Sequence, residues 1–216
     1  MENKIISKFK VGEKILFCDC GFWTPGVVTG FEKNFVGRTL INIRDEFGSD
    51  LVYYEHEVRT RPVIDKFENE YFFLSNFYMC PVEIDGIKYT NSEAAFHAQK
   101  CLERKGEFAY LNPNEAKRLG RSVNLRTDWD DIRIAVMFNI CLAKFVQNPD
   151  LAKKLIKTED AELIEGNTWN DKFWGVCNGV GENNLGKILM QIRFNFKTGN
   201  AQTNPESLLK SYCTKK

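Results

Sequence analysis

The chain changes its hydrophobic rhythm near residue 62, and that switch restricts its fold more than any other feature. Between residues 9 and 62 it runs in short bursts rich in β-branched and aromatic residues and punctuated by glycine. The bursts are Phe9–Val11, Lys14–Cys18, Trp23–Phe31, Thr39–Arg44 and Leu51–Tyr54, with a turn at Phe47-Gly48. Such bursts are expected to be strands of a small antiparallel barrel. From residue 67 the elements lengthen. Pro81–Tyr89 reads as a hairpin about an Asp85-Gly86 turn. Asn91 or Ser92 caps a helix reaching about Arg104, and Asn112-Pro113 opens a short helix closed by Gly120. Thr127 or Asp128 caps a long helix to about Gln147, whose apolar residues cover more than one face and mark it as central. Asp150 opens another to about Lys157, and Asn183 or Asn184 caps a last one over 185–196. The order predicts an α+β chain with a small antiparallel β-barrel over 1–62 and a mainly helical domain over 63–196. The boundary falls in Pro62–Lys66, and 197–216 is a polar, loosely held tail.

Charge and cysteine usage narrow the function classes. Hydrophobic residues make up 43% and charged residues 27% of the chain, the proportions of an ordinary soluble globular protein. No apolar run reaches bilayer-spanning length, so no membrane partner is expected. The start, Met-Glu-Asn-Lys-Ile-Ile-Ser-Lys, has no apolar signal region. Together with seven irregularly spaced cysteines, this points to a reducing cytoplasm. Cys18-Asp19-Cys20 lacks zinc-knuckle spacing and the histidines are only His56 and His97, so no metal is expected. The net charge of +1 is spread evenly along the chain. That argues against strong nucleic-acid binding driven by phosphates, though not against a local patch.

The stretch 166–186 carries no helical or strand period. It holds five glycines, five asparagines, Trp169, Trp174 and a single aspartate, Asp171, between Asn170 and Lys172. Long structureless loops inside compact domains tend to be functional. Here glycines permit close backbone approach, the tryptophans offer flat faces, and Asn and Asp supply directional polar groups. The structural alternative is a surface connector with its two Trp folded back on the core.

A second polar concentration lies on the helix that starts at Ser92. Glu93, His97 and Lys100 fall at i, i+4 and i+7, with Gln99 alongside and small apolar residues opposite. Glu93 sits in the first turn, where the helix dipole favours an anion. It is suited to stabilising developing positive charge or holding a water; the bland alternative is a solvated face with a Glu–Lys pair. Arg121, just past Gly120, could hold a phosphate with its planar fork or be an ordinary surface arginine.

Ordered blocks from Phe67 to Phe194 tie these pieces together. They are F-L-S-N-F-Y at 73–78, G-x-x-Y-x-x-S-E-A-A-F-H-A-Q-K at 86–100, A-K-x-x-G-R at 116–121 and W-x-x-x-R at 129–133. Further on come M…L-x-K-F-x-Q-N-P-x-L at 137–151, L-x-E at 163–165, N-D-x-x-W-G at 170–175 and G-x-N-x-L-G-x-x-L-M-x-I-R at 181–193. Over about three-fifths of its length the chain resembles the NADAR superfamily, which includes the YbiA-type N-glycosidases. The first 62 residues resemble an SH3-like or Tudor-like module more loosely, through V-G-E-K-I-L-F, W-T-P-G-V-V-T-G-F and E-V-R-T-R-P-V.

The resemblance implies a domain that hydrolyses a C–N glycosidic bond at a ribose anomeric carbon without cofactor. The substrate would be a phosphorylated ribosylamino-pyrimidine of riboflavin synthesis or ADP-ribose attached to guanine. It makes Glu93 and Asp171 the catalytic acids, and Trp129, Trp174, Lys100, Arg121, Asn170 and Gly186 the substrate-binding residues. One departure stands out: Ala94 and His97 replace the His and Gln common in the family, so neither His56 nor His97 is assigned to catalysis. Two other function classes remain: a domain that holds NAD or ADP-ribose without cleaving it, and a scaffold whose barrel binds a protein or nucleic acid. Within the barrel, Trp23, Tyr53 and Tyr54 are either a recognition surface or packing.

Overall fold

A computed structural model describes residue 5 and residues 7–199; the expected loose tail over 200–216 lies outside the described residues. The chain is a mixed α/β protein that divides into two compact units, one ending at Val63 and the other starting at Ile64.

The first unit is a five-stranded antiparallel sheet. Its strands are β1 (Lys14–Asp19), β2 (Phe22–Lys33), β3 (Thr39–Asp45), β4 (Asp50–Tyr54) and β5 (Val58–Thr60), in the order β4-β3-β2-β1-β5. A short 3-10 turn over Glu55–Glu57 feeds β5 onto the free side of β1. Alternation puts Ile15, Phe17, Val28, Ile41, Ile43 and Val58 into one core, as the period-2 pattern of a half-buried sheet requires. Phe9–Val11 forms no strand. Phe9 is buried in that core, but Gly12 turns the chain at φ 85° and the Glu13 carboxylate accepts from the Lys10 N–H at 3.0 Å. The three aromatics are partnered within the unit: Trp23 lies under the Arg59 guanidinium at 4.2 Å, Tyr53 against Phe17 at 4.9 Å and Tyr54 against His56 at 5.6 Å.

The second unit opens at Ile64, the last residue of β6 (Val63–Ile64), and continues with the hairpin β7 (Met79–Ile84) and β8 (Ile87–Asn91). Both turn residues of the hairpin, Asp85 and Gly86, have positive φ (50° and 75°), the geometry that favours Asp-Gly in two-residue turns. Then come α1 (Ser92–Ala98), α2 (Pro113–Leu119), α3 (Trp129–Gln147) and α4 (Pro149–Lys157). Short strands β9 (Glu162–Leu163), β10 (Gly166–Asn167) and β11 (Val176–Cys177) lead to α5 (Asn184–Lys197). Every residue of α1 is buried. Its alanines let it sit deep in a core built from Phe108, Met137, Phe138, Ile140, Phe145, Leu185, Leu189 and Ile192.

Although α4 starts at Pro149 and not at Asp150, the starts of α1 and α2 are those read from the sequence, because their caps are local. Asn91 accepts from the Ala94 N–H at 2.8 Å, and Asn112 and Glu115 form a reciprocal capping box at 3.0 Å each way. The first helix end is not. Instead of running to Arg104, α1 stops at Ala98. The Lys100 carbonyl, which a continuing helix would give to residue 104, accepts instead from the Arg126 N–H at 3.0 Å. The chain then follows a 3-10 path over Leu102–Phe108.

Candidate active site

A cleft of about 590 Å³ opens in the second unit, between α1, α2, the segment 67–77 and the glycine- and asparagine-rich loop before α5. Four carboxylates line it: Glu68 from the segment 67–77, Glu93 from α1, Glu165 ahead of β10, and Asp171 from the loop. Lys100, Lys117 and Arg121 line it as well, and its aromatic walls include Phe72, Phe77, Phe96, Trp169 and Trp174. Opposite charges and flat apolar faces therefore share one concavity.

Glu93 is fixed at both ends. Its backbone N–H donates to the Asn76 carbonyl at 3.1 Å, and its Oε1 lies 3.1 Å from His97 Nε2. His97 is buried, and desolvation holds its pKa below the usual histidine value despite the pull of Glu93 toward the charged form. At neutral pH the ring is thus a neutral donor to Glu93, while its Nδ1 is buried without a partner. Gly120 gives the ring its space: a Cβ there would stand 2.1 Å from Nδ1. Gly120 itself has φ −65°, so glycine is required here by that close approach and not by a left-handed cap. Glu93 consequently pairs with His97, not with Lys100 on a solvated face.

Lys100 follows the end of α1. Its ammonium lies 5.8 Å over the Phe96 ring and 5.6 Å over Trp129. Burial, and the nearby Arg121 and Lys117 charges, outweigh Glu93 and hold its pKa down. Trp129 does not line the cleft. It is 5% exposed and packs behind Phe96 with ring centroids 5.1 Å apart. Trp174 does line it, edge-on to Phe96 at 5.4 Å, and Trp169, 61% exposed, adds a second loop tryptophan.

The loop is built around Asp171 and Asn167. Asp171 Oδ1 accepts from the N–H groups of Phe173 and Trp174 at 3.1 and 2.9 Å. Asn167 accepts from the Asp171 N–H at 3.0 Å and donates to its carbonyl at 2.8 Å. One Asp171 oxygen is therefore committed to shaping the turn that presents Trp174. Asn170 takes the left-handed conformation of that turn, with φ 63°, and does not line the cleft. Gly186 does not line it either: on α5 it packs so closely that a Cβ would sit 2.1 Å from the Leu163 carbonyl oxygen.

Glu165 is absent from the residues that sequence reasoning assigned to the site. Desolvation raises its pKa to about 8, reinforced by the charges of Asp171 and Glu93 and opposed by Lys144 and Lys117. The available signal was the acid ending the L-x-E block, a lone carboxyl between Leu163-Ile164 and a glycine. Behind the cleft Lys144 is 1% exposed and donates to the Ser75 carbonyl at 2.8 Å, anchoring the segment that carries Asn76. Among the described residues, no group of three or more His, Cys, Asp or Glu is placed to hold a metal ion, and no helix is long and apolar enough to cross a membrane.

This geometry sits in a recognisable sequence. Residues 64–197 match the NADAR domain. The chain belongs to the NADAR family. It is 39% identical over 131 residues to the N-glycosidase YbiA of Shigella boydii, a match spanning 58% of this chain and 81% of that protein. It is 40% identical over 127 residues to a riboflavin biosynthesis protein of Vibrio vulnificus, covering 56% of this chain but only 34% of the relative's length. Among solved structures, the NMR structure of the Escherichia coli protein YbiA matches with a TM-score of 0.60 at 32% identity, over 68% of this chain and 91% of that one.

Proposed function

We propose that the cleft hydrolyses the C–N bond joining a base to the anomeric carbon of a phosphorylated ribose. The chain is a hydrolase of N-glycosyl bonds by its relationship to the YbiA N-glycosidases; the substrate and the residue roles are our reading. The observation that carries it is the gathering in one cleft of the carboxylates Glu93 and Asp171 with Lys100, Lys117 and Arg121.

Breaking an N-glycosidic bond builds oxocarbenium character on the ribose, which a nearby carboxylate stabilises or relieves by delivering water. Glu93, oriented by the His97 Nε2 hydrogen bond, takes that role. Asp171 supports it, with one oxygen left beyond those that shape the loop. Arg121, Lys117 and Lys100 hold the phosphate. Trp174 and Trp169 stack on the leaving base, worth about 1–3 kcal/mol per stacked base. A cleft of about 590 Å³ lies within the range of small-molecule sites. All the lining residues belong to the second unit, so we assign the chemistry to that largely helical domain. We read the first unit as an SH3-like barrel, on its strand order, with exposed Phe22, Phe35 and Phe47 available to a protein or nucleic-acid partner.

The test incubates the full chain with a ribosylamino-pyrimidine 5′-phosphate and, separately, with ADP-ribosylated guanosine, measuring released base and sugar phosphate. Turnover of either is expected. Glu93→Gln should lower kcat by about 10²–10⁴-fold, the range for a positioned acid–base group, with substrate binding nearly unchanged. Tight binding without release of base from either compound would make the domain a binding module, and full activity in Glu93→Gln would remove Glu93 from the chemistry.

A further inference from the structure

We propose that Glu165 is the general acid of this site, entering the reaction protonated and giving its proton to the departing nitrogen. The substrate is therefore an N-riboside whose nitrogen leaves as a neutral base that needs a proton, not a pyridinium-type base that leaves without one. This proposal rests on the N-glycosidase reading above.

Its geometric basis is the way Glu165 is held. The backbone N–H donates to Asn183 Oδ1 at 3.0 Å, and the carbonyl accepts from the Val176 N–H at 2.9 Å. Asn183, itself left-handed at φ 56°, also donates to the Leu163 carbonyl at 2.8 Å. Gly175 closes on the same residue: a Cβ there would meet the Glu165 carbonyl oxygen at 2.1 Å and its Cγ at 3.1 Å. From this clamped backbone the side chain reaches the cleft, and its Oε2 is buried with no hydrogen-bond partner. An ionised carboxylate needs donors for its lone pairs, and burying one without them is strongly unfavourable. A protonated carboxyl at this spot carries no charge to solvate.

The charged surroundings favour the same state. Asp171 from the loop and Glu93 from α1 face Glu165, and Lys144 from α3 and Lys117 from α2 only partly offset them; Cys141 of α3 is a buried thiol, pushed up to about 12, and stays neutral. Glu165 is thereby the carboxyl of the cleft whose surroundings favour the protonated form, the property a general acid needs. In the reaction the C1′–N bond breaks with its electron pair going to nitrogen, which takes the Glu165 proton. Water oxygen bonds to C1′ and its released proton passes to the Glu93 carboxylate. Proton exchange with solvent then restores both residues, and the net change is water added across the bond.

The test compares wild type, Glu165→Gln and Glu165→Asp in the full chain, on whichever of the two N-ribosides the wild type cleaves. Wild-type kcat/KM should fall about tenfold per pH unit above about 8, as expected once an essential acid ionises. Glu165→Gln should be slower by about 10²–10⁴-fold with that alkaline limb gone, and Glu165→Asp should keep the limb at a reduced rate. A Gln variant within about fivefold of wild type, or one that keeps the alkaline limb, overturns the proposal, because a purely structural role would not carry the limb. If the wild type cleaves neither compound, the underlying N-glycosidase reading fails and takes this proposal with it.

Discussion

Replacing Glu165 by Gln should stabilise the folded protein, and by an amount that grows with pH. The folded-state pKa of Glu165 is raised from 4.5 to about 8. A carboxyl raised in this way contributes no penalty below its unfolded pKa, where both states hold the proton. Between about pH 4.5 and pH 8 the unfolded chain ionises while the folded one does not, so wild-type stability falls; above that window the penalty is constant. At about 1.4 kcal/mol per pKa unit the full shift corresponds to roughly 5 kcal/mol. Water reaching a side chain that opens onto the cleft reduces this, and a difference of about 2–3 kcal/mol above pH 8 is the working expectation. Gln cannot ionise and keeps the shape of the protonated acid, so the variant escapes the penalty. For a chain of this size each kcal/mol moves Tm by about 2–4 °C, giving a gain of roughly 4–12 °C at pH 8.5 that vanishes near pH 4. Differential scanning calorimetry of the two proteins across that range is the assay. A difference in Tm that does not change with pH would refute the reasoning, since it would mean that Glu165 ionises as readily in the fold as outside it.

Two glycine substitutions test the packing around the cleft. Gly120→Ala places a methyl 2.1 Å from His97 Nδ1; the displaced ring should release Glu93, and kcat should fall about tenfold or more while Tm drops by only a few degrees. An unchanged kcat would show that His97 does not orient Glu93. Gly186→Ala drives a Cβ toward the Leu163 carbonyl oxygen and the Asn183 amide. It should lower stability by about 1–3 kcal/mol, measured by urea denaturation, with KM little altered; a raised KM at unchanged stability would return Gly186 to the binding surface.

Much of the frame was legible in the sequence because the interactions behind it are local. The Asp85-Gly86 turn, the Asn91 and Asn112 caps and the proline start of α2 involve partners within four residues. The apolar coverage of α3 likewise announced its burial before any partner was known. The resemblance blocks brought Glu93 and Asp171 forward together.

Only the tertiary structure decided the rest, since burial and field depend on residues far apart in the chain. The end of α1 depends on Arg126 taking the Lys100 carbonyl, Trp129 is withdrawn behind Phe96, and Gly186 serves a helix contact with Leu163. Glu165 is the clearest case. Nothing in Leu163-Ile164-Glu165 separates a solvated acid from a buried one. Its environment comes from Glu93, Lys117, Lys144 and Asp171, brought together from four different segments. Local sequence sets how each segment turns and where it starts, whereas desolvation and the charges that reach a carboxyl are properties of the assembled cleft.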